Sequence, residues 1–273
     1  MKPSNFSYVC PVLVEEILEI LYEKQDDCKI ISGGQSLVAM LNMRLLYPNV
    51  LVDIKNIKSL DNIQNDDEGL RIGANITQQT LLEYKNLQSL LPLLYKSLPW
   101  VGHYQTRNKG TVCGSIAHAD PSSEIPLCLN MLDGEVSLIS KKEQRTLKAR
   151  EFQTGMLSTV CKPYEIIESI YFPYDKNISK VSFNEFSFRS GDFSLVSVGA
   201  IRKVDKIVFG LTGLQDKPFV KDIPILIKNE IEDFMYDLSE SFEGIDDHIS
   251  NFDYKKILFR NLAKKTISEV IDE

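Results

Sequence analysis

The feature that most constrains this chain is an abrupt change of texture between residues 28 and 37. Cys28-Lys29-Ile30-Ile31 is a short β-branched run that predicts a strand. It breaks into Ser32-Gly33-Gly34 and continues through Gln35-Ser36-Leu37 at the head of a helix-forming stretch. Paired glycines permit positive φ and let a bulky group approach the main chain. Successive N–H groups in such a bend form a concave nest for an anion. Ser32, Gln35 and Ser36 add side-chain donors, and the bend contains no lysine. Taken alone, the doublet also reads as a plain β-turn. Neither Gly-x-Gly-x-x-Gly nor the Gly-Lys-Ser/Thr ending of a P-loop is present, so a Rossmann fingerprint and an NTPase site are excluded.

A second glycine-bearing stretch lies far downstream, from Arg107 to Pro126. Gly110 and Gly114 again allow close backbone approach. Thr111 and Ser115 offer hydroxyls, and the carboxylates of Asp120 and Glu124 can accept from sugar-like hydroxyls. Asp120-Pro121-Ser122 also has the look of a helix start, so Asp120 is read either as an N-cap or as a ligand contact. Arg107 and Lys109 either soften an anion's charge or are ordinary solvated cations. Trp100 and Tyr104 either stack on a ring or fill the core.

Around these segments the chain alternates short strands with helices, the pattern of an α/β or α+β fold. Helices are predicted over 15–23, 77–84, 90–98 and 125–132. Strands are predicted at 28–31, 50–54, 70–72, 135–139 and 144–148, with 109–123 poor in periodicity. From about Val181 the texture shifts to strands over 183–188, 195–204 and 206–210, then to a charged helical tail from Ile227 to Asp272. This predicts a separate C-terminal domain starting near 175. The net charge of −7 argues against a general nucleic-acid binder. The N-terminus lacks a signal peptide's apolar core, and no apolar run approaches the roughly 18 residues of a membrane span, so the cytoplasm is expected. Five scattered cysteines (Cys10, Cys28, Cys113, Cys128 and Cys161) form no Cys-x-x-Cys pair, and His103, His118 and His248 show no ligand spacing. A metal or iron–sulfur centre built from this chain alone is therefore not expected.

Together, Ser32–Leu37, Arg107–Ser115 and Ala119–Glu124 resemble the flavin-binding signatures of the medium subunit of molybdenum hydroxylases, the family of xanthine dehydrogenase and aerobic carbon monoxide dehydrogenase flavoproteins. The resemblance continues through Met43-Arg44 with Pro48, Val52-Asp53-Ile54, Phe152–Gly155, Pro163–Ile167 and Phe186–Phe193, and so covers most of the chain. It implies an α+β fold: a two-subdomain FAD-binding domain of the PCMH type over 1–175, split near 55–60, then a small C-terminal α+β domain over 176–273 with a three-stranded sheet plus helices.

By the same resemblance, Lys29, Ile30, Ile31, Ser32, Gly33, Gly34, Gln35 and Ser36 wrap the FAD diphosphate. Thr111, Gly114 and Ser115 form a second diphosphate and ribityl contact, with Glu124 touching the cofactor and Asp120 beside it. Asp192 falls near the polar edge of the isoalloxazine ring. Cys161 falls where a leucine often packs on the ring, read either as redox-active or as a packing residue, and Asn184 lies near a position often held by lysine. Cys113 replaces the first glycine of the second doublet; positive φ there would cost on the order of 1 kcal/mol or more. His118 either approaches the flavin or serves in capping and packing.

The family's activity implies that this chain relays electrons without attacking substrate. Iron–sulfur clusters reside on a small partner subunit and molybdopterin on a large one, with NAD among the acceptors, in a heterotrimer that is doubled. Two rival readings stay open: a flavin-free structural or assembly subunit, and a stand-alone flavin oxidoreductase, for which the sequence offers no catalytic base.

Overall fold

The computed structural model describes residues 2–225, 230–244, 246 and 250–271. Three strands open the fold: β1 (Ser7–Val9), β2 (Cys28–Ile31) and β3 (Val50–Asp53). They form a parallel sheet of order β1-β3-β2. Parallel neighbours require crossovers. Helix Val14–Lys24 supplies the first and buries Ile17, Leu18 and Leu21 on one stripe. Its first turn is closed by Glu16, whose carboxylate accepts from the N–H groups of Val12 (3.0 Å) and Leu13 (3.3 Å). Helix Leu37–Asn42 makes the second crossover and starts directly after the glycine doublet.

Further along come β4 (Ile63–Asn65), β5 (Gly69–Gly73), β6 (Glu135–Ile139), β7 (Gln144–Lys148), the short pair β8 (Gln153–Gly155) and β9 (Ser158–Thr159), and the long β10 (Ile166–Pro173). An antiparallel sheet of order β4-β5-β10-β6-β7 results. The helices between β5 and β6 pack on it through a continuous apolar core that includes Leu93, Leu94, Val112, Ile116, Ile125 and Leu129.

The last sheet is antiparallel, in the order β11 (Lys180–Phe186), β12 (Val196–Arg202), β13 (Ile207–Thr212) and β14 (Phe219–Ile223). It has four strands rather than the three expected. The fourth, Phe219-Val220-Lys221-Asp222-Ile223, is an edge strand whose charged pair interrupts the alternation that betrays half-buried strands. One face of this sheet, with Val196, Val198, Ala200, Phe209 and Leu211, receives helices Ile231–Glu240 and Phe252–Ile271. Residues 226–229, and with them the predicted helix start at Ile227, lie outside the described residues, as do His248 and Asp272.

The opposite face receives helix Glu124–Met131, all eight residues of which are buried. Gly199 and Gly210 sit opposite each other on β12 and β13, and a Cβ on either would lie 2.7 or 2.5 Å from Met131 Sδ. The missing side chains are what let the helix seat on the strands. Within the described residues, no helix is long and apolar enough to cross a membrane.

Candidate functional site

The two glycine bends, separated by more than seventy residues, touch. A Cβ on Gly33 would lie 2.7 Å from Gly110 Cα and closer still to the Lys109 carbonyl oxygen, so only glycine permits this approach. Ser32 Oγ joins the bends from the side, 3.0 Å from Thr111 Oγ1 and 3.3 Å from the Ala74 carbonyl. Gly34 has φ +70°, and Gln35 Nε2 donates to the Gly33 carbonyl at 3.1 Å. The backbone N–H groups of Gly33, Gly34, Gln35 and Ser36 donate to no protein acceptor among the described residues. Four consecutive donors left without a protein acceptor, around a left-handed glycine, are what an anion nest requires.

Across the bend, Thr111 caps helix Val112–His118 by accepting from the Gly114 N–H at 3.0 Å. A Cβ on Gly114 would stand 2.6 Å from Thr111 Oγ1 and push the capping hydroxyl aside. The helix ends at Ala119, held at φ 54°. The Ala119 carbonyl accepts from Gln153 Nε2 (2.8 Å) and from the Leu157 N–H (3.0 Å). Asp120 then forms a tight turn, its Oδ1 accepting from Ser122 N (2.8 Å) and Ser122 Oγ (2.6 Å), while Ser123 takes the N-cap position of the next helix. Of the two readings of Asp120, helix capping is thus removed.

Glu124 opens that next helix and is only 7% exposed. Its carboxyl meets a second one, Glu185 of β11, which is 8% exposed. Burial pushes both above the ordinary carboxylate range; the negative charge of Glu124 holds Glu185 up further, and that of Asp120 does the same for Glu124. Ser197 Oγ donates to Glu185 Oε2 at 3.0 Å, and Ser194 stands 2.7 Å from Ser197.

Cys161 sits beside a buried ion pair, its Sγ 3.7 Å from the Glu165 carbonyl oxygen. Arg145 donates twice to the buried Glu165 carboxylate, both bonds 2.8 Å, and once to the Val160 carbonyl at 2.9 Å. Burial works to raise Glu165, but the guanidinium and the Lys162 N–H outweigh it and hold the carboxyl below its ordinary value. Cys161 lies within electrostatic reach of Lys29, and burial pushes its thiol up to about 12, which favours the packing reading over a reactive thiolate.

Residues 4–175 match the family model described as the FAD binding domain in molybdopterin dehydrogenase. The chain belongs to this family. It is 37% identical over 206 residues to the alpha subunit of the 6-hydroxypseudooxynicotine dehydrogenase complex of Paenarthrobacter nicotinovorans, covering 76% of this chain and 70% of that one. It is 30% identical to the nicotine 6-hydroxylase medium subunit of the same organism over 98% of both chains. Its structure superposes on quinoline 2-oxidoreductase from Pseudomonas putida 86 with a TM-score of 0.90, at 27% identity over 98% of this chain and 97% of the other. The expected α+β fold and the identity as an oxidoreductase flavoprotein subunit with an FAD-binding domain therefore stand.

Within this FAD-binding family fold, several sequence expectations need adjusting. Asn184 is not brought to the cluster: its amide donates to Ser182, Thr266 and Glu269, beneath the C-terminal helix. Cys113 lies inside a regular helix and is absent from the positive-φ residues, so the expected backbone penalty does not arise. Arg107 is half-buried and spends its guanidinium on bracing the preceding loop, through the carbonyls of Pro99, Val101 and Gly102 and through Gln79. Trp100 and Tyr104 are exposed and do not fill the core. Asp192 is exposed on a turn whose Gly191 (φ +84°) packs on the His103 ring. Glu185 was not singled out by the sequence reading, although strand alternation places it on the opposite face from Asn184, toward Glu124.

Proposed function

We propose that this chain is the FAD-carrying medium subunit of a molybdopterin-dependent hydroxylase, passing electrons from iron–sulfur clusters of a small partner subunit to an acceptor such as NAD. The large partner subunit holds the molybdopterin and selects the substrate. The observation that carries the reading is the contact between the two glycine bends, with four free N–H groups beside it. A diphosphate is a dense anion that suits such a nest without a lysine. When bound, the isoalloxazine supplies two-electron redox chemistry that no side chain here provides.

In this reading the segment from Lys29 through Ile30, Ile31, Ser32, Gly33, Gly34 and Gln35 to Ser36 holds one side of the diphosphate. Thr111, Gly114 and Ser115 hold the other. Asp120 and Glu124 accept from cofactor hydroxyls. Cys161 packs as an apolar group against the ring, and Asp192 borders its polar edge. The FAD unit spans 1–175, divided near 55–60, and 176–273 forms the C-terminal domain. The relatives named as the subunit of a dehydrogenase complex and the medium subunit of a hydroxylase support small and large partner subunits, and the assembly is read as a doubled heterotrimer. All five cysteines are free thiols, in keeping with a cytoplasmic setting. A flavin-free scaffold would draw support from a distorted bend at Cys113, and the helical placement of that residue takes that support away.

The test is direct. The purified full chain is expected to show flavin absorbance, to release FAD on denaturation and, once stripped, to take FAD up again. With both partner subunits present, the hydroxylase substrate should reduce the bound flavin. A chain that neither carries nor takes up FAD refutes the reading.

A further inference from the structure

The cofactor reading leaves one buried group unexplained. Glu185 projects from β11 toward helix Glu124–Met131 and meets the Glu124 carboxyl in a place that water barely reaches. A structural carboxylate in such a position is normally met by a cation. Here no lysine, arginine or histidine is among the groups acting on either carboxyl. The charged and titratable neighbours are Asp120, whose charge raises Glu124 further, and Cys128, whose thiol is itself held up by burial and by Glu124. The strands packed around the pair contribute hydroxyls alone. Ser197 on β12 stands in register with both Glu185 and Thr212, and Ser194 bonds Ser197. Thr212 Oγ1 is buried and has no partner among the described residues.

Two carboxylates cannot both stay ionised at hydrogen-bond range in a dry interface, so one proton must be held between them. That proton fixes geometry. A carboxylic acid donates through one oxygen, and the partner carboxylate is left with lone pairs aimed elsewhere. With Ser197 donating to Glu185 and Glu185 sharing its proton with Glu124, the remaining acceptor of Glu124 is oriented rather than free to swing.

We propose that Glu185 is a positioning residue for the flavin site: it shares one proton with Glu124 and so aims the Glu124 carboxyl at a hydroxyl of the bound FAD. The inference rests on the cofactor reading of Glu124 given above. It makes FAD affinity depend on a single proton. Once that proton is lost, two adjacent negative charges push β11 away from the helix and the aimed acceptor is lost with it.

The experiment measures the Kd of stripped full-length protein for FAD, by quenching of flavin fluorescence, at pH 7.5 and pH 10. The wild type, Glu185→Gln and Glu185→Ala are compared. The upper carboxyl of the pair is pushed up to about 9. Linkage then makes the wild-type Kd rise about tenfold more over this interval than that of Glu185→Gln, whose amide N–H cannot be titrated away. Titration of the flavin itself is common to all three proteins and cancels in the ratio. Glu185→Ala is expected to bind more weakly than Glu185→Gln at pH 7.5, because only the amide restores a donor to Glu124. Parallel pH profiles for wild type and Glu185→Gln, or equal binding by the Gln and Ala variants, overturn the proposal.

Failure of all three proteins to bind FAD would instead defeat the cofactor reading. Melting of the FAD-free proteins then decides whether the proton is shared. A raised carboxyl stabilises the fold below its unfolded pKa and loses that contribution as pH climbs toward the folded value. Between pH 5 and pH 9 the wild type should therefore lose more Tm than Glu185→Gln, and equal losses would remove the shared proton altogether.

Discussion

Replacing Gly33 by alanine tests the contact on which the cofactor site is built. The new methyl would stand 2.7 Å from Gly110 Cα and nearer to the Lys109 carbonyl. Both obstacles are backbone, so neither can rotate aside as a side chain would. An ordinary contact with Gly110 Cα needs roughly 0.7 Å more room and the nearer Lys109 carbonyl needs more, so the two bends must part by at least that much. Overpacking of this kind costs about 1–3 kcal/mol. If the strain falls on the FAD-bound arrangement, Kd rises about 5- to 150-fold at about 1.4 kcal/mol per decade. Fluorescence titration of the stripped protein gives Kd, and urea unfolding of the FAD-free protein shows how much strain falls on the fold itself. The sum of the two losses should reach at least about 1 kcal/mol. Gly34→Ala is the informative control. It forces a Cβ into φ +70° but meets only the side chains of Ile31 and Val38, at 3.2 Å, so its cost of about 1 kcal/mol is conformational. A Gly33→Ala protein with wild-type stability and wild-type FAD affinity would refute the claim that the bends must touch.

Glu165→Gln should destabilise the protein by about 2–3 kcal/mol at pH 7, somewhat less than a fully buried pair because Arg145 keeps some solvent contact. Since the Glu165 carboxyl is held below its ordinary value, its contribution is present above the unfolded carboxylate pKa and lost as pH falls through the folded one; acid melting curves of the variant should therefore be flatter below about pH 4.5 than those of wild type. Asn184→Ala should lower stability by about 1–2 kcal/mol through its lost bonds to Thr266 and Glu269, while FAD Kd stays within about twofold; a large change in Kd would return Asn184 to the site. Gly210→Ala should cost about 1–3 kcal/mol in denaturant unfolding by pressing on Met131, and Met131→Ala in the same chain should show a favourable coupling in a double-mutant cycle.

What could be read from the residues followed the range of the interaction. The β6–β7 hairpin carries its own alternation and turn, and its boundaries appear in the structure where the sequence places them. Both glycine bends were legible because backbone freedom is encoded locally. Helix Val112–His118 was not, since Gly114, Ser115 and Ala117 dilute its apolar stripe and its start depends on the Thr111 cap. The Glu124–Glu185 meeting joins residues from a helix and a distant sheet, and no local pattern announces it. Asn184 shows how fine the margin is. Successive strand residues face opposite ways, so reading the site one residue early selects a side chain that points at the C-terminal helix instead.

The peptide carbonyl of Ala119 has a mechanical consequence. One of its two donors is the Gln153 side chain on β8 and the other is the Leu157 N–H at the tip of the β8–β9 loop, where Met156 and Leu157 are exposed. A body resting on that greasy tip would press on a lever whose short arm ends one residue before Asp120, so displacement at the surface is delivered to the inner turn through a single peptide plane.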